Sequence, residues 1–313
     1  MNIGHVPPNQ PGQPGQPGPA RPAGVQPGRG TFFAFVAVLV IGGVWWLIGI
    51  GQPIALALDT SYEMPLYHHL SSLVGWASPA TAFLVFALVT FPYRAGHLVA
   101  LAIAVLNLFG WLLSTVMTLF DFVDFGLFLR LFEPLLILAA AGLALPGWAW
   151  ARSHGKSPLK LIAVCIAGAV VLLSGPLNAI TSMLQSDSGD GLFGIVTRVG
   201  TPLLYGLATA AIVVLASLNA AWSRYVAAGV TAAVFLAELV RSIASFSHEY
   251  SSVLAPFLLV NAFGMAAGAA VLAIAALRTG KDRNASPPVA SQPPTQQPPQ
   301  VANPYGSWNP PHR

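Results

Sequence analysis

The stretch TFFAFVAVLVIGGVWWLIGIG, residues 31–51, runs without a single charged side chain. A helix rises about 1.5 Å per residue, so this block reaches about 30 Å, the thickness of a bilayer's hydrocarbon core. Seven more apolar blocks follow, at roughly 73–92, 98–120, 131–151, 160–183, 199–221, 225–246 and 253–277. They read as helices because backbone in lipid must satisfy its own hydrogen bonds. The alternating ten-residue segments of a membrane β-barrel are not present. The sequence therefore predicts an all-α polytopic membrane bundle of eight transmembrane helices.

Composition agrees with this reading. The chain is 55% hydrophobic and 8% charged, against about 25% charged in a soluble domain, so it has too few charges to cover a soluble surface. The first block exceeds the 7–15 residues of a signal-peptide core and reads as a retained helix. The single cysteine, Cys165, excludes an internal disulfide and any multi-thiolate site. Inside block five it reads as a small buried apolar residue.

The flanks differ sharply from the blocks. Residues 1–30 and 280–313 are rich in proline and poor in apolar side chains. Such segments cannot offset their ordering entropy, so both are expected to be disordered tails with polyproline II character. The transmembrane domain is then 31–279. Within it, Pro53 and Pro176 sit at the ends of blocks one and five, Pro79 and Pro202 begin blocks two and six, and Pro134 and Pro256 begin blocks four and eight. EPLLILAAAG (133–142) matches APFLLVNAFG (255–264) around the last pair. The spacing suggests two parallel four-helix repeats, 31–152 and 158–279.

Basic residues orient the bundle. One side holds Arg21, Arg29, Arg94, Arg152, Lys156, Lys160, Arg224, Arg278, Lys281, Arg283 and Arg313; the other holds only Arg130, Arg198 and Arg241. The richer side is expected to be cytoplasmic, with both termini on it. All the acids except Asp282 fall on the opposite side.

Small residues and tryptophans fill out the expected packing. Gly264 and Gly268 form a GxxxG pattern in block eight, which suits close contact within the bundle. Trp45, Trp46, Trp111, Trp148, Trp150 and Trp222 lie toward block ends and read as interfacial anchors.

Few residues could carry chemistry. Glu238 and Arg241 stand one turn apart within hydrocarbon depth in block seven. An ionisable pair at that depth either locks the helix as a local ion pair or serves a transport path. Arg130 and Glu133 repeat the spacing at the end of block four and read as an interfacial pair. Asn107, Asn178 and Asn261 could bond neighbouring helices or line a polar path. His68, His69 and His248, with the outer acids, have no metal-ligand spacing, so no metal is expected. No phosphate-binding loop, protease signature or deep histidine occurs, and no cofactor or nucleic acid is implied.

The expected role is therefore non-enzymatic: an envelope or scaffold component of a bacterial plasma membrane that recruits cytoplasmic protein partners through its tails. The alternative is a secondary transporter or permease for a small solute, using Glu238 and Arg241.

Overall fold

A computed structural model describes residues 28–58, 66–119, 125–185, 192–246 and 255–285, most of them with their side chains. Residues 1–27 and 286–313, and the connections that carry most of the acids, lie outside these residues; 29–30 and 280–285, expected to belong to disordered tails, are helical. Eight helices are present among them: α1 Arg29–Leu58, α2 Leu66–Thr90, α3 Arg94–Leu119, α4 Phe125–His154, α5 Pro158–Gln185, α6 Leu192–Ser217, α7 Ala221–Phe246 and α8 Ala255–Ala285. Each contains an apolar stretch long enough to cross a membrane. The chain is an all-α, multi-pass membrane protein.

Every predicted block is a helix, but most helices outrun their blocks. Length in lipid is fixed by apolar content, whereas helical hydrogen bonding continues into the polar margin. Pro53, Pro79, Pro134, Pro176 and Pro202 therefore lie inside helices rather than at their ends. Block six was expected to reach 221; α6 stops at Ser217 and α7 already starts at Ala221.

The connections that are described are short and well capped. Between α4 and α5, Gly155 takes φ +87°, and its N–H closes on the Ala151 carbonyl at 2.9 Å. This is the left-handed glycine that ends helices. Ser157 then caps the next helix, accepting from the Lys160 N–H at 3.3 Å, and Pro158 fills the first helical position.

Successive helices pack side by side, and α8 closes against α1. The second helix sits inside: α2 touches α1, α3, α4, α5 and α6. Three-quarters of its span is buried (76%), against 28–39% for the others. Lipid tails match leucine in polarity, so close backbone approach has to supply the cohesion. Gly264 and Gly268 do this within the bundle, both facing α1: a Cβ on Gly264 would lie 2.6 Å from Val44 Cγ1, and one on Gly268 would strike Ile41. Gly206 lets α6 meet α5 backbone, where a Cβ would lie 2.9 Å from the Val171 oxygen.

Three expectations need correction. Cys165 is exposed on the bundle's outer face, not buried, because α5 turns only a narrow stripe inward. Trp45, Trp46 and Trp111 are not simple interfacial anchors. Trp45 packs against Phe83 and Tyr205, Trp46 donates to Thr81 Oγ1 at 3.1 Å, and Trp111 is buried. Finally, Arg224, counted in the sequence among the basic residues that orient the bundle and expected in the connection before block seven, lies in the first turn of α7 and is wholly buried.

Candidate functional site

Glu238 lies 17 residues beyond Ala221 on α7, about 26 Å along the helix at 1.5 Å per residue. Its nearest cation is Arg241 on the same helix, but the contact is 3.9 Å, at the outer limit of an ion pair. The two side chains diverge: Arg241 is 69% exposed and Glu238 8%. The expected local pair is present at that length, with the carboxyl group buried and the guanidinium largely exposed.

Beside Arg241, Glu238 meets side chains of other helices. Asn261 of α8 hydrogen-bonds both Glu238 and the Tyr205 hydroxyl of α6. Asn261 Oδ1 is buried without a partner, so the amide nitrogen is the end that serves them. Trp45 of α1 closes the group, meeting the Tyr205 ring edge-on at 5.5 Å and 74°. Helices α6, α7 and α8 thus meet around one carboxyl group within a candidate span, and α1 packs on the Tyr205 ring. Glu238 and Asn261 were legible in the sequence. Tyr205 and Trp45 were not, because nothing in a run of apolar residues says which aromatic turns inward.

The same four helices meet again at the end of the bundle that holds α1's start and α8's last turns. Arg224 reaches across this end. Its Nη2 donates to Thr31 Oγ1 of α1 at 2.9 Å, its Nη1 donates to Thr279 Oγ1 of α8, and its Nε points to the Ala216 carbonyl of α6 at 3.5 Å. Gly30 makes room: a Cβ there would run into Thr279 Oγ1 and Arg224 Nη1. No carboxylate pairs with Arg224 among the described residues, so neutral oxygens alone hold a buried guanidinium. Arg94 and Arg152 mark the same end differently, lying over the Trp148 ring at 5.6 Å and 5.4 Å.

Tyr93 and His97 sit beside this region. His97 is fully buried; its Nδ1 donates to the Tyr93 carbonyl at 2.7 Å, leaving Nε2 without a partner. The Tyr93 hydroxyl is also buried and unpartnered. Its burial raises the phenol above its ordinary value of 10.0, an effect opposed by the nearby Arg224 charge.

The remaining predicted residues separate. Glu133 accepts from Ser78 of α2 at 2.9 Å, so it too bonds another helix; the Arg130 side chain lies outside the described residues. The Asn178 side chain lies outside them as well, as do those of His68, His69 and His248. Asn107 is buried on α3 with Nδ2 unpartnered. It does not join Asn261. No family model matches the chain, and no match was found among the curated proteins or the solved structures.

Proposed function

We propose that the protein is a secondary transporter for a small solute, with Glu238 as the group that binds and releases the coupled ion. The observation that supports this is the placement of Glu238. It is buried within a candidate span, hydrogen-bonded by Asn261 of α8 and close to Tyr205 of α6, with the largely exposed Arg241 guanidinium 3.9 Å away. An intramembrane carboxyl group retained at that cost, without a full countercharge, suits reversible proton or cation binding. A purely structural pair would keep both charges together. The activity is read as non-enzymatic.

Helix neighbours support the two-repeat reading, 31–152 and 158–279. Contacts of α1 with α2, α2 with α3, α3 with α4, and α4 with α5 recur four helices on, as does that of α1 with α6. The contact of α2 with α4 lacks a comparable counterpart. Two halves packed this way suit rocking about a central site. The arginines over Trp148 favour that end as the cytoplasmic one, in a bacterial plasma membrane. Recruitment of partners through the tails rests on the proline-rich sequence alone.

The test uses the full chain in proteoliposomes loaded with a pH-sensitive dye. A panel of sugars, polyols, amino acids and metal ions is added outside. At least one solute should move protons with wild-type protein and fail to do so with Glu238→Gln. An identical response from both proteins across the panel overturns the proposal.

A further inference from the structure

Two arginines at one end of the bundle are placed alike and treated differently. Arg224, in the first turn of α7, reaches Thr279, six residues before the end of α8, and is shut in by hydroxyls. Arg94, at the start of α3, reaches Trp148, six residues before the end of α4. Here the contact is an aromatic face, and Arg94 stays exposed. Arg152, one turn past Trp148 on α4, lies over the same ring and is exposed too.

Charge at this corner is of one sign. Lys156 is exposed in the connection after α4. Gly147 lets α5 come close, since a Cβ there would lie 2.7 Å from the Lys160 backbone N; Lys160 therefore starts α5 beside the Trp148 turn. No acid occurs in 64–120 or 134–186, which covers α2, α3, α5 and most of α4. The nearest acid on α4, Glu133, is 19 residues from Arg152, about 28 Å at 1.5 Å per residue. Asp282 belongs to α8, which packs on α1 and α7. Two like charges on one indole repel, and the ring face offsets this only in part.

Depth selects the partner. Arg94 opens one candidate span, and Arg152 lies two residues before the end of another, which places both at headgroup level. The Arg94 face continues along α3 in Leu98, Val105 and Phe109, which return to within about 60° of it at about 100° per residue. All three are at least half exposed. Trp150, also exposed, stacks on His154 at the end of α4, and indoles favour the headgroup layer. Exposed cations above an exposed apolar stripe match a charged head with acyl chains below it.

We propose that the corner formed by α3, α4 and the start of α5 binds an anionic phospholipid, its headgroup held by Arg94 and Arg152 and its chains lying along Leu98, Val105 and Phe109. Pairing of arginine with phosphate is charge-assisted and specific in geometry, and basic clusters between membrane helices suit such headgroups. This surface does not depend on Glu238.

Native mass spectrometry of the full chain, released from neutral detergent, tests it. Phosphatidylglycerol and phosphatidylcholine with identical chains are titrated separately, and the affinity for the first bound lipid is read. A basic side chain near anionic lipid contributes about fivefold, so two arginines should give wild type a preference for phosphatidylglycerol of at least about tenfold. Arg94→Gln with Arg152→Gln should remove most of that preference. Arg29→Gln with Arg278→Gln takes the same charge from exposed positions on α1 and α8 at the same end, and should leave the preference intact. Equal losses in the two double variants would mean diffuse attraction to a basic surface and overturn the site, as would a wild type without preference. If the first double variant fails to fold, Arg152→Gln alone should cost about fivefold; an unchanged ratio overturns the proposal.

Discussion

Arg224 and Thr31 lie 193 residues apart in the chain, yet the guanidinium Nη2 meets the threonine hydroxyl at 2.9 Å. Through Thr279 the same side chain holds α8, so one buried cation ties α1, α7 and α8 together at one end. Arg224→Ala should lower the unfolding free energy by about 2–4 kcal/mol, combining lost charged hydrogen bonds with a cavity. Arg224→Lys should recover only part of this, since an ammonium cannot span both threonines as a planar fork does. Denaturation in mixed detergent micelles measures both; an Arg224→Ala variant within about 0.5 kcal/mol of wild type would show that the residue is not a tie.

Glu238 should couple to Asn261 more than to Arg241. Interhelical hydrogen bonds in membranes average about 0.6 kcal/mol and reach about 1.7, whereas exposed ion pairs give about 0–1. Double-mutant cycles on unfolding should therefore give the larger coupling for Glu238→Gln with Asn261→Leu. A larger coupling with Arg241→Ala would make the local ion pair the better description.

Glycines at close approaches should tolerate no side chain. Gly206→Ala places a Cβ against the Val171 oxygen and 3.2 Å from Leu172 Cα, backbone that has little freedom to retreat. A loss of about 1–3 kcal/mol is expected, in line with overpacking elsewhere. Gly142 has nothing within 4 Å of its Cβ position, so Gly142→Ala should be neutral or gain up to about 1 kcal/mol from helix propensity. Melting temperatures of the two variants should move in these unequal ways.

Tyr93 gives a pH signature outside the spans. Its folded phenol titrates above 10.0 because burial disfavours the charged form. Below pH 10 both states hold the proton, so the contribution is fully present; it is lost as pH rises through the raised folded value. Wild type should therefore lose stability more steeply than Tyr93→Phe above pH 10. Parallel curves for the two proteins would remove Tyr93 from the account.

Eight helices followed from the sequence because a bilayer demands apolar length and internal backbone bonding, and both are properties of a single segment. The Gly264–Gly268 contact was legible for a similar reason: small residues one turn apart mark close approach whichever helix approaches. Sequence also pointed to Glu238, since a carboxyl group in an apolar run is conspicuous without any neighbour.

Rotation and partners are different in kind. Whether Tyr205 faces lipid or Glu238, whether Arg224 sits in water or between two threonines, and whether Asn107 meets Asn261 or stays apart from it on α3 all depend on how helices turn against one another. In apolar surroundings many rotations bury similar surface, so hydropathy alone does not choose between them. Close packing and hydrogen bonding between distant segments choose, and those exist only in the assembled bundle.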